Sequence, residues 1–124
     1  VVDLYPTLAD LTALPAPRRH EGCSFAPLRE NPRAEWKSAA FSEMLRGKDC
    51  LGRSLRTATH RYVEWTRHGS TEVIARELYD LSSSSIETIN LAGEPSETAL
   101  VKSLGSMLER GWQAALPPAA TPGF

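Results

Sequence analysis

The sequence predicts an α+β fold, a four-stranded antiparallel sheet packed on a C-terminal helix. Three observations carry this reading. Residues 51–65 interleave arginines and aromatics among small residues, the pattern of two strands joined by a tight turn. Two further short strand-like segments flank that stretch, with turn residues between them. Near the C-terminus the periodicity changes: Leu100, Leu104, Met107, Leu108 and Trp112 form one apolar stripe, with Lys102, Glu109 and Arg110 facing away from it.

Taken in order, residues 3–14 read as a helix. Asp3 is placed to cap it, Pro6 is tolerable in the first turn, and Leu4, Leu8 and Leu11 share a face. Leu14-Pro15-Ala16-Pro17 ends it, and residues 15–35 read as an extended connection broken by Pro27 and Pro32. So long a connection in a small domain is expected to lie along another surface. Strands are expected at about 39–45, 53–58, 61–65 and 77–81, in a meander whose turns are Gly47-Lys48-Asp49 and Ala58-Thr59-His60. Ser82 to Ser85 is a short polar linker. The last helix spans about 96–115, with Ser96 after Pro95 as its N-cap. Gly105 and Gly111 each cost this helix roughly 1 kcal/mol relative to Ala, so packing must hold it. Three segments result: 1–35, a helix and connection; 36–116, the sheet and helix; and 117–124, a loose tail.

The chain has 124 residues and a formal net charge of -1. That length supports one modest core, and the near-neutral charge leaves no footprint for nucleic acid or an anionic membrane. No apolar run approaches the roughly 20 residues that span a bilayer. Val1-Val2-Asp3-Leu4-Tyr5-Pro6 lacks the basic region and cleavage site of a signal peptide, and the missing initiator Met suggests processing, cleavage or an artificial truncation. Cys23 and Cys50 form no CxxC pair; they read as buried structural thiols, and sequence leaves a disulfide between them open.

Several segments, in order, resemble the C-terminal end of sulfatases, in particular the iduronate-2-sulfatase branch. Val2-Asp3-Leu4-Tyr5-Pro6-Thr7-Leu8 with Leu14-Pro15 is similar to that family's helix and the Leu-Pro after it. Glu21-Gly22-Cys23-Ser24 with Pro27-Leu28 resembles its Glu-Gly-Arg-Ser and Pro-Leu segment, with Cys23 in the place of Arg. Ala40-Phe41-Ser42-Glu43 with Arg46 resembles an Ala-Tyr-Ser-Gln strand followed by Arg, with Glu43 where Gln is expected. Ser54-Leu55-Arg56-Thr57 and Arg61-Tyr62-Val63-Glu64-Trp65 resemble Ser-Ile-Arg-Thr and Arg-Tyr-X-X-Trp. Glu77-Leu78-Tyr79-Asp80-Leu81, Glu87 and Asn90-Leu91 complete the series. Ser84-Ser85 stand where the family has Asp-Pro, so a looser loop is expected there.

The resemblance implies a sulfuric ester hydrolase as parent, with a hydrated formylglycine as nucleophile and calcium stabilising the sulfate oxygens. It also implies a secreted, periplasmic or lysosomal location and a sulfated carbohydrate as substrate. Neither Cys23 nor Cys50 lies in the Cys-X-Pro-Ser-Arg motif that becomes formylglycine, and no acidic cluster offers calcium its converging oxygens. The catalytic equipment is therefore assigned to a missing N-terminal part, which becomes this chain's expected partner. The chain itself is expected to carry no cofactor and to be inactive alone.

Arg56 is the foremost binding candidate, since its guanidinium fork suits sulfate or a uronate carboxylate. In strand phase it faces away from Leu55; a salt bridge joining two domains is the competing role. Ser42, Glu43 and Arg46 are candidates for the pocket edge by resemblance, against solvated strand and turn positions. His60, Tyr62 and Glu64 share a strand face by alternation and read as a surface patch beside a turn rather than a metal or acid–base group. A small unrelated hydrolase using His60 and Glu64 is disfavoured. His20 and His68 read as solvated, and Trp36, Trp65 and Trp112 as packing anchors. The serine run offers no triad. The alternative overall reading is a free-standing binding or assembly module that kept this fold; covering of Leu4, Leu8 and Leu11 would distinguish it from a fragment.

Overall fold

The computed structural model describes residues 2–15, 20–82 and 86–117. The chain divides into two units, 1–36 with 117–124, and 37–116. The looser loop expected at Ser84-Ser85 lies outside the described residues, as does the expected tail beyond Pro117.

In the first unit, helix α1 spans Leu4–Thr12. Asp3 occupies the N-cap position with helical dihedrals and makes no side-chain cap. Its carboxylate instead accepts the Cys23 amide at 2.8 Å. The Thr7 hydroxyl likewise accepts the Phe25 amide at 3.0 Å, so the segment after α1 is tied to its first turn. The helix buries Pro6, Thr7 and Ala9, and leaves Leu4, Leu8 and Leu11 about half exposed or more (50%, 60% and 48%). It ends before the prolines, because Ala13 adopts left-handed dihedrals and the amides of Ala13 and Leu14 close onto Asp10 and Ala9. The connection is not extended throughout: Ala26–Arg29 form a 3₁₀ turn with Pro27 near its start, where a missing amide costs nothing. His20, expected in solvent, is half-buried with Nδ1 2.9 Å from the Gly22 carbonyl.

The second unit carries the sheet: β1 Ala40–Arg46, β2 Cys50–Arg56, β3 His60–Arg67 and β4 Val73–Asp80. Each strand pairs antiparallel with the next, in the order β1-β2-β3-β4. This is the α+β meander that the sequence predicts. The strands run longer than expected, β2 starting at Cys50 rather than 53 and β4 at Val73 rather than 77. Gly52 weakens the strand signal at the start of β2, and cross-strand pairing overrides it. At β4 the β-branched pair Val73-Ile74 carries a strand signal that the sequence reading passed over. His60 belongs to β3, so the second turn is residues 57–59.

Helix α2, Thr98–Arg110, lies on one sheet face. Leu55, Tyr62 and Leu78 from β2, β3 and β4 meet Leu104 and Leu108, with Phe41, Leu100 and Met107 packed around them. Leu55, Tyr62 and Leu78 are fully buried, each worth roughly 1.5–3 kcal/mol of transfer free energy. The expected single helix over 96–115 is divided. Gly111 has φ 77°, which stops α2 and starts a 3₁₀ turn over Trp112–Ala115. Ser96 is not the cap; it lies in a 3₁₀ turn, Pro95–Glu97, that leads into α2. Trp112 accordingly falls outside the α-helical stripe.

Candidate functional site

Alternation and register sort the strand residues onto two faces. Toward α2 lie Phe41, Glu43 and Leu45 of β1, Leu51, Arg53 and Leu55 of β2, Tyr62 and Glu64 of β3, and Arg76 and Leu78 of β4. On the far face, successive cross-strand rows read Ala40-Arg56-Arg61-Tyr79, Ser42-Ser54-Val63-Glu77, and Met44-Gly52-Trp65-Ala75. Arg46, Cys50 and Arg67 close the far face at its other end.

The far face is built around Trp65. Its ring covers Gly52, where even a Cβ would lie 2.7 Å from the ring, so the indole rests on bare backbone. The indole nitrogen donates to Glu77 Oε1 at 2.7 Å, and the Tyr79 hydroxyl donates to Glu77 Oε2 at 3.0 Å. Partial burial and that carboxylate raise the Tyr79 hydroxyl above its ordinary pKa. Arg46 lies over the indole, 5.7 Å from its centroid, within cation–π range. The ring is therefore held at its edge by Glu77 and over its plane by Gly52 and Arg46. In the next row the Ser42 and Ser54 hydroxyls bond to each other at 2.8 Å. Arg61 holds both carboxylate oxygens of Glu87, at 2.9 and 2.8 Å.

Between these groups runs a shallow groove of about 130 Å³, lined by Ser42, Glu43, Met44, Gly52, Ser54, Arg61, Val63 and Trp65. Small-molecule sites usually enclose ~300–1,000 Å³, so this groove can seat one small polar group rather than a whole ligand. Of the four candidates, Ser42, Arg46 and Arg56 share the far face, and Glu43 borders the groove while its strand phase turns it toward α2. Arg56 is exposed beside Arg61, its cross-strand neighbour. The far face thus carries Arg46, Arg56, Arg61 and Arg67 against Glu77 and the docked Glu87, an excess of positive charge. Sequence reading passed over Arg61, Ser54 and Glu77 as site residues; their signal was the register, which places them beside Arg56, Ser42 and Trp65.

The expected surface patch of His60, Tyr62 and Glu64 is corrected. The three alternate on one strand, yet Tyr62 is fully buried and Glu64 is 6% exposed. The Tyr62 hydroxyl donates to Glu64 Oε1 at 2.8 Å, and that carboxylate also meets Arg53 at 3.4 Å and Arg76 at 3.5 Å. A buried carboxylate needs such partners, because an unpaired one would cost several kcal/mol. Burial first, then the bond to Glu64, pushes the Tyr62 hydroxyl up to about 12, with Arg76 opposing. This network lies under Gly105, where a Cβ would approach Glu64 Oε1 and the Tyr62 hydroxyl to 3.4 Å. His60 pairs instead with Thr59, Nδ1 to Oγ1 at 2.9 Å, and lies opposite Asp80. Asp80 is held below the usual carboxylate range by hydrogen bonds from Ser82.

Cys23, in the first unit, is a buried free thiol, and Cys50, in the second, a half-buried one. Among the described residues no three of His, Cys, Asp or Glu converge on a point that suits a metal ion. No described helix is long and apolar enough to cross a membrane. Comparison with protein-family models finds no match, and comparison with curated proteins finds none at the significance required.

Proposed function

We propose that this chain is the C-terminal portion of a sulfatase of the iduronate-2-sulfatase type, a part that completes the fold and shapes the substrate side of the pocket while the catalytic centre resides elsewhere. The observation that carries this reading is how the resembling segments connect. Arg61 and Trp65, from the Arg-Tyr-X-X-Trp segment, bind Glu87 and Glu77 of the segments that follow. Asn90 of the last segment receives the Leu78 amide at 2.9 Å. Residues of these resembling segments therefore hold one another in place, which supports the reading. The half-exposed row of Leu4, Leu8 and Leu11 adds support, since a large apolar patch marks an interface. On this reading Arg56 and the groove beside it border a sulfated carbohydrate held mainly by the catalytic part.

The test is intact-mass and size analysis of the native protein from its source, with aryl sulfate turnover assayed on the pure chain. A larger companion carrying a formylglycine is expected, together with no turnover by this chain alone. A monomeric, stably folded lone chain would favour the second reading, a free-standing binding or assembly module. One observation favours that reading: residues 37–116 possess their own core around Leu55, Tyr62 and Leu78. Turnover by the isolated chain would overturn both.

A further inference from the structure

The two edges of the sheet differ. On β4 the chain closes its own edge: Leu91 donates to the Leu78 carbonyl at 2.8 Å, the Leu78 amide donates to the Asn90 side chain, and that side chain donates to the Arg76 carbonyl at 3.1 Å. Leu78 and Arg76 therefore direct their backbone groups away from β3. Antiparallel pairing alternates the direction of successive residues, and this fixes the direction across the sheet. Arg61 and Val63 bond toward β4, Tyr62 and Glu64 toward β2, and Ser54 and Gly52 toward β1. The Thr57 amide donating to the His60 carbonyl fits the same phase. Ser42 and Met44 consequently bond to β2, and Phe41, Glu43 and Leu45 turn their amides and carbonyls outward. No described element pairs with β1 on that side. The strand is exposed nearly throughout, Met44 at 58% and Leu45 at 52%.

Open backbone groups on an exposed edge select an extended chain as occupant. Side chains set which one. On the far face, β1 and β2 present Arg46 and Arg56 with no acid, which calls for an acidic residue opposite Arg46. On the α2 side, Phe41 and Leu45 flank Glu43, and the neighbouring Arg53 is engaged by Glu64. That calls for apolar residues on either side of a basic one. A second copy does not fit. Two-fold antiparallel pairing sets like faces opposite each other, and Glu43 and Arg46 lie on different faces. We propose that the β1 edge is a docking site for an extended segment of another protein, antiparallel to β1, with an acid opposite Arg46 and a base opposite Glu43 between apolar neighbours.

The probe is a fluorescein-labelled peptide, Glu-Val-Val-Lys-Thr-Val-Thr, titrated against the full chain by fluorescence polarisation. Its charge-swapped form, Lys-Val-Val-Glu-Thr-Val-Thr, should bind about tenfold more weakly. N-methylation of the lysine amide should abolish binding, since it removes the central backbone donor. Exchange of the Phe41, Glu43 and Leu45 amides should slow in the complex. Glu43→Pro removes an amide that no sheet bond uses, so the variant should fold and fail to bind. Equal binding of the two peptides, unchanged exchange of those amides, or binding retained by Glu43→Pro would overturn the proposal. So would a dimer, without peptide, that itself protects them.

Discussion

Replacing Gly52 with alanine tests the construction of the far face most directly. The new methyl would lie 2.7, 2.9 and 3.0 Å from three atoms of the Trp65 ring. Carbon atoms rest at about 3.5–4.0 Å, so the ring must lift by about 1 Å. The bond from the indole to Glu77 is 2.7 Å long and lies near the ring plane, so a lift of that size lengthens it only to about 2.9 Å but bends it out of line. Overpacking costs about 1–3 kcal/mol. The strained bond is half-exposed and adds about 1 kcal/mol, and the restricted unfolded chain returns about 0.4–1 kcal/mol. The net expectation is a loss of about 2 kcal/mol. Urea denaturation measures it, and the Trp65 indole N–H resonance, one of three in the chain, should move toward its solvent value. An unchanged midpoint with an unmoved indole signal would refute the account of Gly52 as the seat of the ring.

Other expectations follow from the same geometry. Tyr62 is raised from 10.0 to about 12 in the folded chain. Its unfolded form ionises first, so the contribution is intact below pH 10 and fades between pH 10 and 12 at roughly 1.4 kcal/mol per pH unit. Tyrosinate absorbance should show a step well above pH 10 that Tyr62→Phe removes while the chain stays folded, and a Tyr62 step near pH 10 in the folded state would contradict this. Gly105→Ala should stabilise the chain by about 0.5–1 kcal/mol in thermal unfolding, because the added methyl meets Glu64 and Tyr62 at a tolerable 3.4 Å. A destabilised variant would mean that the network beneath α2 cannot yield. Asn90→Ala removes the acceptor of the Leu78 amide and the donor to Arg76, and should cost about 1–2 kcal/mol while speeding exchange at Leu78. Unchanged exchange there would refute the edge closure.

Much of the fold was legible because local rules and tertiary packing agree in it. The stripe through Leu100, Leu104 and Leu108 has one helical reading, and those residues do pack on the sheet. Alternation around Leu55 and Arg56 likewise separates a buried side chain from an exposed one. Legibility failed where an apparently polar or weak residue gains its role from a distant partner. Glu64 reads as solvated until Arg53, Arg76 and Tyr62 converge on it from three strands. Gly52 lies before the strand expected from residue 53, yet Trp65 covers it within β2. Asp3 reads as a helix cap, yet Cys23, twenty positions away, offers its carboxylate a backbone donor.

The candidate site divides the same way. Sequence alone named Arg56 for its guanidinium fork, and Ser42, Glu43 and Arg46 only by the resemblance of their strand. It could not pair Ser42 with Ser54 or Arg56 with Arg61, since register depends on how strands align and not on any one strand's residues. Composition, periodicity and turn residues determined the order and kind of the elements of residues 37–116, through short-range preferences that act within a few positions. Which carboxylate is buried, which glycine supports an indole and which sheet edge stays open were decided by tertiary structure. Those outcomes depend on contacts between residues far apart in the chain, where desolvation and pairing outweigh local preference.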